Sequence, residues 1–531
     1  MSDELDPAIL TAQFDRASTP SEFELALDQL RGHWPELASE HGSLIRGMLD
    51  ATPTELWERD PWLVAGYAAS HRSLDSTATS AALPYFAVAE AAVLESTSVL
   101  TIVALRAHHA AALRSLGRFD DALALLEPVI DDALAVTSAP LAHRITLEAR
   151  SALQLGVIHY HLGDYDRART CLRLTEGLAD RGLLRSERVE CYAALSMLEY
   201  VMGDFASAQR YCELARAASG SSGLLESRFG AAALIVEVLI AVEQDRLEDA
   251  LDRAAVANTA ARGSDWEPLA LYAEAATAII SERYVEGLEL LRRSLQLWRA
   301  WPNPGGIATM VEGLRATMLL RLGETDAAWD ILLSLQPTQH HANCPGRFVS
   351  HLRLITGDIA GALAALRECD ALGDAHSSRT LVDVLLIKGA ANYMLGSLAS
   401  SDVAVDRGLL LAGRNRVRIP FRLIPTETMD AMLARAVARN QPAEVVAILV
   451  DARGTGANLS PRSALSERER EIVQLLARHR SVAAIAEELY ISVNTVKSHV
   501  KSAYRKLEVT SRADAIRRAR ELGLHLDLTR P

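Results

Sequence analysis

Near the far end of the chain, Asn494, Thr495, Lys497, Ser498, Lys501 and Arg505 crowd hydrogen-bond donors and positive charge into one short stretch. At 100° per residue in a helix, Asn494, Ser498, Lys501 and Arg505 fall on one side with Lys497 at its flank, while Val496, Val500, Ala503, Tyr504 and Leu507 fall on the other. The apolar side is built to pack on sister helices. The polar side carries donors that suit phosphate oxygens and base edges in the major groove of double-stranded DNA, so its chemistry is recognition rather than bond making.

The use of lysine sharpens the point. The chain contains Lys388, Lys497, Lys501 and Lys506 and no other lysine, so three of the four share this one helix. Residues 460–531 hold fourteen Lys and Arg against nine Asp and Glu, a net of +5; with −13 for the whole chain, the preceding residues carry −18. A basic module on an acidic body is an electrostatic footprint for nucleic acid confined to one end. It also raises the expectation of autoinhibition, the acidic body holding the basic face until a ligand or partner intervenes.

Four short helices between Leu465 and Leu524 must position that face. Ser466 with Glu469 reads as a capping box for the first, which runs through Ile472, Val473 and Leu476. Ser481 caps a second helix carrying Ile485, Ala486 and Leu489, and only Tyr490 and Ile491 separate it from Ser492, the cap of the third. So short a connection is a tight turn, and the pair reads as a helix-turn-helix. Ser511 with Asp514 caps the fourth.

Leu465 to Val473 (LSEREREIV), Ile485-Ala486, Ile491 to Val500 (ISVNTVKSHV), Lys506-Leu507 and Arg512 resemble the LuxR-type helix-turn-helix domain of bacterial transcription regulators over about sixty residues without a large gap. The resemblance implies Lys497, Ser498 and Lys501 over bases, Thr495 and Arg505 nearer the backbone, and pairing of two copies on DNA through the fourth helix at Ala515, Ala519 and Leu522. Family members usually have Gly where this chain has His479, an Asn-Lys-Glu-like trio at Val482, Ala483 and Ala484, and Gly at Glu508. Loss of a cation at Ala483 removes a phosphate contact, and Glu508 places a carboxylate at a helix C-terminus, where the dipole disfavours it. Weaker DNA binding per subunit is expected. The competing reading is a protein-interaction scaffold whose DNA-binding domain has degenerated.

Upstream, a turn motif recurs. Leu116-Gly117-Arg118-Phe119 precedes Asp120, Asp121 and Ala122; Leu162-Gly163-Asp164-Tyr165 precedes Ala168; Met202-Gly203-Asp204-Phe205 precedes Ala208. Degenerate copies centre on Leu247, Tyr284, Gly323, Gly357 and Gly396, near forty residues per unit. Each unit reads as a helix, a turn and a second helix, with the aromatic in the angle between them. Seven residues before the glycine stands a small residue, Ala110, Gly156, Ser196, Ala316 or Gly389, where two helices can approach closely. Carboxylates after the turn, such as Asp120, Asp166 and Asp326, suit a helix N-terminus and are structural. These units are similar to the longer, irregular tetratricopeptide repeats of MalT-like regulators, and the resemblance implies a superhelix whose concave side takes a peptide, protein or small-molecule effector.

The expected fold is all-α: a tetratricopeptide-like solenoid followed by a small four-helix module. Residues 1–80 form its N-terminal helical segment, in which Pro61 between Trp57 and Trp62 suits a helix start. Residues 81–450 are repeats, 451–464 a flexible linker reaching on the order of 20 Å, and 465–531 the helix-turn-helix domain. Apolar residues make up 49% and aromatic ones only 5%, which favours helices over sheet.

Several functions are set aside. No glycine-rich loop ending in Lys and Ser or Thr occurs, so the nucleotide domain of MalT-like regulators is lacking, and Lys388 sits mid-helix. Neither a receiver-like strand and helix alternation nor a Gly-x-Ser-x-Gly or His-Glu-x-x-His sequence occurs, so no catalytic site and no cofactor are expected. The longest nearly apolar run, Gly230 to Val242, is interrupted by Glu237 and too short to span a bilayer, so a soluble, cytoplasmic chain without membrane contact is expected. Five cysteines do not make a disulfide framework; Cys171, Cys191, Cys212 and Cys369 lie in helical patterns. His340, His341 and Cys344 lie close together, but no second ligand pair at metal-site spacing stands nearby, and no metal is expected.

Overall fold

The computed structural model describes residues 7–17, 19–73, 79–93, 99–135, 141–299, 307–335, 341–373, 376–439, 467–479, 481–489, 491–507 and 509–521. Among these, twenty-eight α-helices and a few 3-10 turns account for the regular structure, and no strand occurs. The linker assigned to 451–464 lies outside the described residues.

Five helices open the chain: α1 (Pro7–Arg16), α2 (Pro20–Glu40), α3 (Gly42–Ala51), α4 (Pro61–Ser70) and α5 (Ala82–Ala91). The start of α4 follows from its residues. Pro61 occupies a first-turn position where a missing N–H costs nothing, and the Asp60 carboxylate accepts from the Trp62 and Leu63 amides at 2.9 and 3.3 Å. Trp34, Trp57 and Phe86 fill the core of this segment.

Eight helical hairpins follow: α6/α7 (Val99–Ser115, Phe119–Ala135), α8/α9 (Leu141–Leu162, Tyr165–Gly182), α10/α11 (Arg185–Met202, Phe205–Ser219), α12/α13 (Ala231–Glu243, Leu247–Ala261), α14/α15 (Glu267–Ser281, Tyr284–Arg299), α16/α17 (Ile307–Arg321, Thr325–Ser334), α18/α19 (Pro345–Ile355, Ile359–Ala364) and, after a short α20 (Arg367–Leu372), α21/α22 (Ser378–Met394, Leu398–Asn415). Two further helices, α23 (Ile419–Arg422) and α24 (Thr426–Ala438), are the last described ones before the C-terminal module.

The turn inside every hairpin has the same physical cause. Gly117, Gly163, Gly203, Gly323, Gly357 and Gly396 all have positive φ, between 73° and 91°, the left-handed conformation that ends one helix and turns the chain into the next. The two non-glycine copies adopt it as well, with Asp245 at φ 58° and Glu282 at φ 59°. Phe119, Tyr165 and Phe205 are buried in the angle that follows, as expected. The small residues seven positions earlier also have a cause: a Cβ on Gly156 would lie 2.7 Å from Leu172, and one on Gly389 2.7 Å from Val405.

The first helix of each hairpin packs on the first helix of the next, so α6, α8, α10, α12, α14, α16, α18 and α21 form one inner layer. Residues of α12 and α21 are buried nearly all round, whereas α9, α11 and α22 keep one wet face. The superhelix is tight enough for distant hairpins to meet. Ser377 and Ser378 hydroxyls donate to the Val201 and Gly203 carbonyls at 3.0 and 2.8 Å, and Asn343 donates to the Tyr165 hydroxyl at 2.7 Å. Four short helices complete the described chain: α25 (Glu467–Arg478), α26 (Val482–Glu488), α27 (Val493–Lys506) and α28 (Arg512–Glu521).

Candidate nucleic-acid interface

The C-terminal helices share a core of their own. Ile472, Leu475 and Leu476 of α25, Ile485 and Ala486 of α26 and Val496 of α27 form one cluster; Val473, Ala503, Leu507 and Ala515 form a second, and Tyr504 borders both. The caps set the geometry. The Ser481 hydroxyl accepts from the Ala484 amide at 3.2 Å, and the Ser492 hydroxyl accepts from the Thr495 amide at 3.1 Å and meets the Thr495 hydroxyl at 2.8 Å. Ser511 and Asp514 cap α28 reciprocally: the Asp514 amide donates to the Ser511 hydroxyl at 3.1 Å, which donates to the Asp514 carboxylate at 2.6 Å. Ser466 lies outside the described residues, while its proposed partner Glu469 is buried.

Between α26 and α27 the Ile491 amide donates to the Ala486 carbonyl at 3.0 Å, which closes the tight turn and fixes the angle at which α27 leaves. Arg512 holds the module from the other side. Its guanidinium donates to the Leu476 and His479 carbonyls, satisfying acceptors that the end of α25 leaves open. The Arg468 guanidinium reaches the Leu489 carbonyl at 3.3 Å and ties α25 to α26.

With Val496, Ala503 and Leu507 buried, Thr495, Lys497 and Lys501 stand exposed. Asn494, Ser498 and Arg505 lie on the same helix. Sequence reasoning, which ranked polar donors, passed over Val493, which opens α27 with 39% of its surface exposed. An apolar group at that place has the chemistry of a thymine-methyl contact. Ala483 is exposed on α26, and Glu508 lies outside the described residues.

The expected pairing surface needs correction at one residue. Ala515 is fully buried against Val473, Ala503 and Leu507, because the first turn of α28 is spent on the domain's own core. Ala519 follows one turn later in α28, and Leu522 lies outside the described residues.

Two interior features of the solenoid had no sequence signal. The first is a buried polar hub: Arg114 donates to Asp265 at 2.9 Å and to Glu190, and the His161 Nε2 meets the same Asp265 carboxylate at 2.9 Å. Burial alone would raise the Asp265 pKa, yet Arg114 and His161 hold it well below the usual carboxylate range. The second is a cleft of about 750 Å³, mouth included, lined by Tyr200, Glu243, Tyr272, Arg347, Arg379 and Asp383 among others. Its charges are paired with one another, Arg379 with Glu243 at 3.6 Å and Arg347 with Asp383, and Arg379 also lies 5.1 Å from the Tyr200 ring centroid. Lys388, the lone lysine of the solenoid, pairs with Asp370 at 2.6 Å. His340 lies outside the described residues, but His341 and Cys344 do not stand alone: the fold brings Cys369 and His376 to them.

Residues 463–519 match the family described as bacterial regulatory proteins, luxR family. The probable transcriptional regulatory protein NarL of Mycobacterium tuberculosis is 40% identical over 96 residues, covering 18% of this chain and 44% of that protein. The spore germination protein GerE of Bacillus subtilis is 42% identical over 52 residues, covering 10% of this chain and 70% of that protein. Among solved structures, a Rap protein complexed with competence and sporulation factor superposes with a TM-score of 0.49 at 14% identity, covering 67% of this chain and 98% of that one. The chain thus spans less than half the length of NarL, and its likeness to both named relatives is confined to a short part of it. Four helices packed in this way, three of them with their caps in place, and matched along most of GerE, make the chain a member of the luxR family of bacterial regulatory proteins.

Proposed function

We propose that the chain is a bacterial DNA-binding transcription regulator in which α27 enters the major groove and the repeat region senses a ligand or partner protein. The observation that carries this reading is the exposure of Thr495, Lys497 and Lys501 on a helix whose opposite side is buried in a self-contained core. Lys497, Ser498 and Lys501 read base edges; Asn494, Thr495 and Arg505 serve the sugar-phosphate backbone and the flanks of the face. Two copies pair on DNA, using the side of α28 that Ala515 does not occupy. An aqueous compartment shared with the chromosome follows from that role, and no described helix is long and apolar enough to cross a membrane.

For the sensing half, the cleft beside Arg379 is the site best suited to an effector. Because its arginines already have carboxylate partners, an occupant enters by taking the place of Glu243, which loosens the fourth hairpin from the eighth, or of Asp383, which loosens the seventh from the eighth. A gel-shift titration of the full chain against promoter fragments, starting with the DNA upstream of its own gene, tests the central reading. Retention of one fragment against excess scrambled DNA is expected, and its loss in Lys497→Ala,Lys501→Ala. A chain that retained no fragment would be the interaction scaffold with a degenerate DNA-binding domain.

A further inference from the structure

His341 lies in the 3-10 turn His341–Asn343, Cys344 is the residue before α18, Cys369 lies in α20, and His376 lies in the connection to α21. Each of the four brings one ligand atom within 4.8 Å of the others. The Cys344 and Cys369 sulfurs are 3.4 Å apart, and the Cys369 sulfur is 3.6 Å from the His341 Nδ1. Around a tetrahedral zinc with Zn–S of about 2.3 Å and Zn–N of about 2.0 to 2.1 Å, sulfur pairs stand about 3.8 Å apart and sulfur–nitrogen pairs about 3.6 Å apart. Closing this cluster onto an ion therefore requires movements of a few tenths of an ångström to about an ångström.

His376 supplies a second, independent observation. Its Nδ1 lies 3.1 Å from the Ser377 carbonyl and so carries the proton, which leaves the Nε2 lone pair free. That Nε2 is buried without a hydrogen-bond partner, although the residue is only 4% exposed. A backbone carbonyl on one ring nitrogen and an unpartnered lone pair on the other is the arrangement found in metal-ligating histidines. The turn that carries His341 and Cys344 is tied down as a ligand platform must be. The Thr380 hydroxyl donates to the His341 carbonyl at 2.7 Å, and Arg379 donates to the Ala342 carbonyl at 2.8 Å. Gly346 lets the start of α18 close on α20: a Cβ there would lie 2.8 Å from the Ala365 carbonyl and 3.7 Å from the Cys369 sulfur.

We propose that His341, Cys344, Cys369 and His376 bind one zinc ion as a structural site that clasps the seventh hairpin to the eighth. Two thiolates and two imidazoles suit Zn²⁺ and disfavour Mg²⁺ or Ca²⁺, which require oxygen ligands. The two thiolates cancel the charge of the ion, and both thiol protons leave to solvent on binding. Four protein ligands close the coordination shell, so no position remains for a reacting water and the role is mechanical. The clasp sits next to Ser377 and Ser378, whose hydroxyls reach the turn of the third hairpin, so it fixes the point at which the superhelix closes on itself.

The test is elemental analysis of the full chain, purified free of any affinity tag and without chelator. It should carry one zinc per chain; Cys344→Ser and Cys369→Ser should fall to background, and Cys212→Ser, remote from the cluster, should keep its zinc. Because a ligand variant can misfold, the wild-type chain is also stripped by chelation and titrated with Co²⁺, which should give thiolate-to-cobalt charge transfer and tetrahedral ligand-field bands saturating at one equivalent. A wild-type chain that holds no zinc after loading, a zinc content unchanged in Cys344→Ser, or a Cys344–Cys369 disulfide recovered in place of the metal would each overturn the proposal.

Discussion

Lys501 and Arg505 sit one helical turn apart on α27, and their proposed roles on DNA differ. In the proposed reading Lys501 reads a base edge, so Lys501→Ala should relax preference at one position per half-site at a cost of about 1 to 3 kcal/mol. In the same reading Arg505 serves the sugar-phosphate backbone. Arg505→Ala should weaken binding to every sequence alike and make its salt dependence shallower by roughly one unit of slope per lost phosphate contact. Affinities for the preferred site and for scrambled DNA, measured over a salt series, separate the two; equal losses on both DNAs in Lys501→Ala would remove it from the base-reading set. A substitution in the solenoid has an equally local cause. Glu282 is exposed and adopts φ 59° at a turn where six of the eight copies use glycine. Glu282→Gly relieves a left-handed conformation that costs an L-residue roughly 1 to 2 kcal/mol, less the extra entropy glycine loses on folding. Denaturant unfolding should show a stabilised chain, and a lower midpoint would mean that the Glu282 side chain contributes more than its backbone costs.

At the scale of helices and hairpins, His351 makes the solenoid sensitive to acid. Burial in α18 lowers its pKa from 6.5 to about 4, and the Arg321 guanidinium adds to that, against the opposing bond from its Nε2 to the Leu423 carbonyl at 2.8 Å. Between those values the unfolded chain binds a proton that the folded chain refuses. The contribution is therefore complete above pH 6.5 and is lost as pH falls, at about 1.4 kcal/mol per pH unit, down to about pH 4. Unfolding free energies measured across that window should have a flatter slope in His351→Gln by about that amount. An unchanged slope would mean that the imidazole is hydrated in the folded state.

What could be read in advance at this scale was whatever one helix or one turn encodes by itself. The caps at Ser481, Ser492 and Ser511, the apolar stripe of Val496, Ala503 and Leu507, and the glycine turns all act within four residues. Even Asp245 and Glu282, which lack the glycine signal, fall where Leu247 and Tyr284 placed their turns. The pairings that escaped join residues far apart in the chain. Arg114 meets Asp265 and Tyr165 meets Asn343 only because small rotations add up over several hairpins, and no local pattern records that sum. The cluster of His341, Cys344, Cys369 and His376 escaped for the same reason, since its second half lies a hairpin away from its first. Ala515 was misplaced because a small residue suits a helix contact of either kind, within the domain or between two copies.

For the whole molecule the charge separation is the dominant feature: +5 on residues 460–531 beside −18 on the rest. If the acidic solenoid masks the basic face, residues 460–531, which carry their own apolar core, should bind DNA more tightly alone than in the full chain at equal salt and equal dimer content. Equal affinity would dispose of charge-based autoinhibition while leaving recognition intact. The proposal that α27 reads bases from the major groove can be checked by dimethyl sulfate protection of guanine N7, an atom exposed only in that groove, on promoter DNA bound by the full chain. Protected guanines are expected in two half-sites about one helical turn apart, with protection lost at one position per half-site in Lys501→Ala. Bound DNA whose guanine N7 atoms remained fully reactive, or a pattern unaltered by Lys501→Ala, would contradict it.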